Sequence, residues 1–102
     1  MAIVEISVIP LGTDGSSLSS FVAGCLKVLQ EEKDLIYQLT PMATVIEGDL
    51  DKIFSVIRKM HEVPFIFGAS RVLTTVRVDD RRDKEATMSG KVLSVEKKLD
   101  RE

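Results

Sequence analysis

Few side chains in this sequence have the chemistry for a reaction or a ligand, and they come singly. Cys25 is the only cysteine and His61 the only histidine among 102 residues, so neither a disulfide nor a cysteine-rich zinc site can be built within one chain. Cys25 falls in an apolar helical stripe, where a thiol acts as a small hydrophobe. His61 follows Ile57 by one turn near the end of a second stripe, a place for a half-buried imidazole or for a ligand contact. Pro10-Leu11-Gly12-Thr13-Asp14-Gly15 is neither a Gly-x-Gly-x-x-Gly nor a Walker loop, and its glycines first serve a turn. The run Asp79-Asp80-Arg81-Arg82-Asp83 is of the short mixed-charge kind that water solvates. Glu47 stands apart, because it lies in the apolar run Ala43-Thr44-Val45-Ile46-Glu47-Gly48. A carboxylate there must sit at a wet edge, pair with Arg71 or Arg77, or accept hydrogen bonds from a nitrogenous ligand between apolar walls. Tyr37, Met42 and Phe65 are available as such walls or as plain core.

The elements that must position these residues follow from hydrophobic periodicity. Ala2 to Ile9 reads as a strand, with Val4, Ile6 and Val8 on one face and Glu5 and Ser7 on the other. After the Pro-Leu-Gly turn, Ser16 or Ser17 can cap a helix whose stripe is Leu18, Phe21, Val22, Cys25 and Leu29. Leu35 to Thr40 and Met42 to Gly48 form two short strands about Thr40-Pro41. Asp49 caps a second helix with the stripe Leu50, Ile53, Phe54, Ile57 and Met60, and this helix is expected to stop before Pro64. Ser70 to Val78 alternates as a last strand, with Val72, Thr74, Val76 and Val78 together. Met88, Val92, Val95 and Leu99 predict a third amphipathic helix between Lys84 and Glu102.

This order is that of an α+β ferredoxin-like β-α-β-β-α-β sandwich, residues 1–102 as one domain, with a four-stranded antiparallel sheet and an extra C-terminal helix. Two helices cover only one sheet face. The other face, of mixed polarity, needs the C-terminal helix or another subunit, so a homodimer or homotetramer through sheet faces is expected.

Composition narrows the function classes. A formal net charge of -2 gives no broad attraction to nucleic acid or anionic lipid. The start lacks a basic segment followed by a long apolar one, and no run approaches the ~20 apolar residues that span a bilayer, so the expected location is cytoplasmic with no membrane partner. An RNA-recognition domain of this strand order needs aromatics on its central strands. Neither the first nor the last strand has one. Acylphosphatase-like catalysis needs an arginine in the first turn, and residues 10–17 contain none. A non-catalytic protein without metal or cofactor is expected.

Particular residues go further. Val8-Ile9-Pro10-Leu11-Gly12-Thr13, the segment Ser16 to Val22, Leu39-Thr40-Pro41-Met42-Ala43-Thr44-Val45-Ile46-Glu47-Gly48, His61-Glu62, Arg71-Val72 and Asp79-Asp80-Arg81 together resemble the small thiamine-binding domain family, also called YkoF-like. The resemblance spans nearly the whole chain. It implies a ferredoxin-like fold, assembly through sheet faces, and binding of thiamine or its hydroxymethylpyrimidine part without chemistry. By matching position it implies that Thr13 and Ser17 flank a pocket mouth, that Thr44 and Glu47 meet the aminopyrimidine, and that Tyr37 or Met42 lies against its ring. Two other readings stand beside it. An ACT-like regulatory domain would bind an amino acid or other metabolite with the same element order, and a structural oligomeric subunit would bind none.

Overall fold

The structure, a computed structural model, describes residues 1–12, 18–84 and 87–100. The chain runs β1 (Ala2–Leu11), α1 (Leu18–Gln30), β2 (Ile36–Leu39), β3 (Thr44–Gly48), α2 (Leu50–Ile66), β4 (Arg71–Asp80) and α3 (Met88–Asp100). The strands form one antiparallel sheet in the order β2-β3-β1-β4. This is the ferredoxin-like α+β architecture with an additional C-terminal helix.

Strand alternation sorts the two faces as the sequence predicts. Val4, Ile6 and Ile46 point to α1 and α2 and join Cys25, Leu29, Ile53, Val56, Met60 and Val63 in one buried cluster. Gly24 lets the two helices approach, since a Cβ there would lie 2.9 Å from Val63 Cγ1, closer than packed carbons tolerate. Gly48 does the same for the sheet: a Cβ would stand 2.4 Å from Leu35 Cδ2. Phe21 closes the far end of the helix pair edge-on to Phe67, with ring centroids 6.0 Å apart. Asp49 caps α2 by accepting from Lys52 N at 3.2 Å, as expected from its position. The predicted cap at Ser16 or Ser17 lies outside the described residues.

Two expectations for α2 are corrected. Phe54 is nearly half exposed, while Val56 and Val63 turn into the core; the inward stripe is rotated because β1 and β3, packed against one side of α2, select it. The helix also does not stop before Pro64 but runs to Ile66 with Pro64 inside it. A proline in a helix interior deprives the carbonyl four residues back of its donor. Here that carbonyl is Met60 O, and Cys25 Sγ lies 3.5 Å from it as a donor from α1. Buried Pro64 itself adds apolar surface to the core, which offsets the broken ladder.

The opposite sheet face is only partly covered. Ile9, Leu73 and Ile36 stay exposed, the last at 58%, and no residue of α3 is buried. The predicted apolar stripe of α3 is present, yet Val92, Val95 and Leu99 are each more than half exposed. No helix among the described residues is long and apolar enough to cross a membrane.

The carbonyl that Pro64 leaves free makes Cys25 a test of this packing. Cys25→Ala is expected to cost about 1–3 kcal/mol by denaturant unfolding, as a buried acceptor loses its donor. The cost should shrink in a Pro64→Ala background, where the restored amide can serve Met60 O; an equal cost in both backgrounds would refute the link. Burial also pushes the Cys25 thiol from its ordinary 9.0 up to about 11. A raised folded-state value favours the neutral thiol in the fold, so this contribution is complete below about pH 9 and is lost as pH rises towards 11. Wild type should therefore lose stability over that window relative to Cys25→Ala.

Candidate functional site

The central strand is flanked unequally. β1 pairs with β4 from Ala2↔Asp80 to Leu11↔Arg71, but with β3 only from Ala2↔Gly48 to Ile6↔Thr44. From Ser7 onward its β3-side edge has no strand partner among the described residues. The reason lies in the hairpin, which turns at Thr40–Ala43 before it can accompany β1 further. Thr40 N donates to Ala43 O at 2.8 Å, Thr40 Oγ1 donates to the same oxygen at 2.7 Å, and Ala43 N donates to Thr40 Oγ1 at 3.1 Å. Pro41 and Met42 fill the tip, where proline's missing N–H costs nothing.

A cavity of about 530 Å³ opens at this point between Ile6–Ile9 of β1, Leu39–Thr44, Val22 and Cys25 of α1, and Met60 of α2. Its walls are mainly apolar, with Thr44 buried and Thr40 half-buried at the hairpin side. Such a concavity suits a flat, mostly apolar ring that needs a few placed hydrogen bonds. Met42 stands at its rim, 88% exposed. Periodicity assigns Val22, Cys25 and Met60 to core alone. Pro64, one turn after Met60, was the signal in the sequence that this part of α2 has irregular bonding.

A second concavity of about 600 Å³ lies where α3 stands over β2 and β3, lined by Ile36, Tyr37, Gln38, Glu47, Val92 and Glu96 among others. Glu47 is only 5% exposed. It pairs with neither Arg71 nor Arg77; Arg77 instead faces Glu5 at 3.6 Å. Glu47 Oε1 accepts from Met88 N at 2.7 Å. A carboxylate at a helix's first turn meets orphan N–H groups and the positive end of the dipole. Thr87 Oγ1 accepts from Gly90 N at 2.9 Å and Lys91 Nζ reaches Asp79 Oδ2 at 2.6 Å, so three polar contacts fix the start of α3.

The residues implied by the resemblance are thus divided between two places. Thr44 and Met42 border the first cavity; Tyr37 and Glu47 line the second. Thr44 and Glu47 are three apart on one strand and therefore face opposite sides of the sheet. Tyr37, opposite Ile46, packs its ring against the core cluster. Thr13 and Ser17 lie outside the described residues. Phe65 borders neither place and stacks edge-on to His61, centroids 5.6 Å apart. His61 is not at a helix end but within α2, half-buried, with Nδ1 2.7 Å from Thr74 Oγ1. The charged run forms local ion pairs, Asp80 with Arg82 and Arg81 with Asp83, which hold both carboxyls below their usual range.

The chain as a whole is similar to known proteins. A family model described as thiamine-binding protein matches residues 4–96. A UPF0045 protein encoded in the glkA 3' region of Staphylococcus xylosus is 53% identical, the match covering 97% of this chain and 95% of that protein. The UPF0045 protein YqgV of Bacillus subtilis is 49% identical, with 97% and 98% covered. Among solved structures, protein MJ1052 of Methanocaldococcus jannaschii superposes with a TM-score of 0.81 at 32% identity, covering 92% of this chain and 94% of that one.

The anchoring role of Glu47 can be measured apart from any ligand. Glu47→Ala should speed hydrogen exchange at the Met88 amide about 10- to 100-fold, the equivalent of losing one charge-assisted bond of ~1.5–3 kcal/mol. Exchange at Val4 and Ile46 should stay as in wild type. Unchanged protection at Met88 would contradict the assignment.

Proposed function

The chain belongs to the thiamine-binding protein family, and from that premise we propose that it is a non-catalytic, cytoplasmic binder of thiamine or its hydroxymethylpyrimidine moiety. The ligand's ring is assigned to the cavity between β1 and the Thr40–Ala43 turn. What carries this reading is the unpaired β3-side edge of β1 inside an apolar pocket. A proline fits a strand where its nitrogen faces an unpaired side. With Pro10 oriented that way, strand alternation turns the N–H and C=O of Val8 into the cavity. An adjacent donor and acceptor match the ring nitrogen and exocyclic amine of an aminopyrimidine. Thr44 supports the same edge, and Met42 can fold over the ring, a polarizable cover for an aromatic face. Thr13 and Ser17 remain candidates from the resemblance alone.

The groove beside Glu47 supports a second placement. A carboxylate is the better partner for a protonated aminopyrimidine, and Ile36 and Val92 line the same groove, whereas the Tyr37 ring faces the core. There the ligand would have to share Glu47 with the Met88 amide. In either placement the exposed Ile9, Leu73 and Ile36, with the bare stripe of α3, favour a homodimer or homotetramer that covers this sheet face.

Isothermal titration calorimetry with thiamine, hydroxymethylpyrimidine and thiamine phosphates tests the reading on ligand-free protein. Saturable micromolar binding is expected, with Thr44→Val weakening it several-fold. Glu47→Ala should weaken it by about 1–3 kcal/mol only if the carboxylate is the charged partner. Heat from amino acids and none from these compounds would favour an ACT-like role. No heat from any metabolite with the folded protein would sink the ligand assignment and leave a structural subunit.

A further inference from the structure

We propose that α3 is a displaceable latch on the groove beside Glu47. Its first amide holds the carboxylate in the place of a ligand, so that docked α3 and a small organic cation with paired N–H donors exclude each other. This rests on Glu47 as a ligand partner, the second placement above, and names what controls access to it.

Glu47 lacks a cation. It is only 5% exposed, and a carboxylate taken out of water ordinarily meets a positive charge. No lysine or arginine among the described residues lines the groove; Glu96 adds a second acid, and Ile36, Val92 and Leu93 are apolar. What Glu47 Oε1 has instead is the neutral N–H of Met88 at 2.7 Å, backed by the positive end of the α3 dipole. One donor is little for a group with roughly four acceptor sites. An amidinium, a guanidinium or a protonated aminopyrimidine brings two parallel N–H groups and a full charge, and is the stronger partner for the same carboxylate. About 600 Å³ stays open beside Glu47 with α3 in place, so such a cation can enter before α3 leaves.

Little else holds α3. None of its residues is buried, and Val92, Val95 and Leu99 are more than half exposed. The bond from Gly90 N to Thr87 Oγ1 is a cap within the helix's own first turn and does not tie it to the sheet. Lys91 and Asp79 form an ion pair with both side chains half exposed, a type that contributes little. A helix of thirteen residues is marginal in isolation, and Gly90 lowers its propensity further. Loss of the Glu47 bond therefore frees α3 and lets it fray. The coupling is reciprocal: the factor by which docked α3 weakens the ligand is the factor by which the ligand weakens docking.

The test uses benzamidine, an amidinium on a flat apolar ring, followed by calorimetry and hydrogen exchange. Met88→Pro removes the amide without touching the carboxylate, and proline is tolerated at the first position of a helix. Met88→Ala keeps the amide and loses the same methionine side chain. Benzamidine is expected to bind Met88→Pro about 10- to 100-fold more tightly than Met88→Ala, the equivalent of one charge-assisted bond. Adding Glu47→Gln to Met88→Pro should remove most of that gain. In wild type, saturating benzamidine should speed exchange of the amides from Lys91 to Leu99 and leave Val4 and Ile46 unchanged. Equal affinities of the two Met88 variants, both folded by circular dichroism, overturn the proposal. Saturable binding to wild type that leaves α3 exchange unchanged overturns it too, as does the absence of saturable binding to any folded form. If Met88→Pro does not fold, the wild-type exchange measurement decides alone. Benzamidine is not a thiamine compound, so failure of the latch and failure of the β1 cavity assignment are read in separate experiments.

Discussion

The structure depends on an inequality in the pairing of its central strand. β1 has ten residues and β4 matches it along its whole length, whereas β3 has five and begins only at Thr44, opposite Ile6. The first half of β1, paired on both sides, carries Val4 and Ile6 into the middle of the core. Among the described residues the second half is paired on one side only. Backbone groups on the other side would be costly if sealed in apolar surroundings without partners. They are instead placed at the wall of a cavity, where water or a ligand can meet them. The same inequality leaves β4 long enough to be a regular outer edge. The pocket and the sheet's free edge are thus two consequences of one short hairpin.

Around that strand, irregular bonding is concentrated where α1 and α2 meet the cavity. Pro64 breaks the α2 ladder at Met60, and the orphan carbonyl turns to the Cys25 thiol. A thiol is a weak donor, so this stretch of α2 is held more by packing than by hydrogen bonding. Gly24 brings Val63 and Phe67 onto α1, and that close contact compensates for the missing amide. The cavity floor formed by Cys25 and Met60 is therefore set by side-chain volume, which suits recognition of a ring by shape.

Much of this was legible in the sequence, and the exceptions have physical causes. Alternation alone placed Val4, Ile6 and Val8 on one face of β1. The cap at Asp49 and the stripe of α3 followed from residue types and spacing. The end of α2 was misplaced because a proline within a helix is normally too costly. Its cost here is offset by a contact from another element, which local periodicity cannot show. Phe54 was assigned inward by spacing, but tertiary packing rotated the stripe to Val56 and Val63. For the site, Glu47 was legible only as a carboxylate out of place in an apolar run; its burial and its partner, the Met88 amide 41 positions away, were not. Thr44 and Glu47 stand together in sequence and apart in space, a separation that the period of the strand had already dictated.

The central claim is that the unpaired stretch of β1 and the hairpin turn together receive the ligand's ring. Amide chemical-shift mapping by nuclear magnetic resonance during titration with hydroxymethylpyrimidine tests this most directly. Saturating shifts confined to Ser7–Ile9, Val22, Cys25 and Thr40–Thr44 are the predicted result. Shifts centred instead on Ile36–Gln38, Glu47 and Met88–Glu96 would place the ring on the opposite side of the sheet and contradict the account.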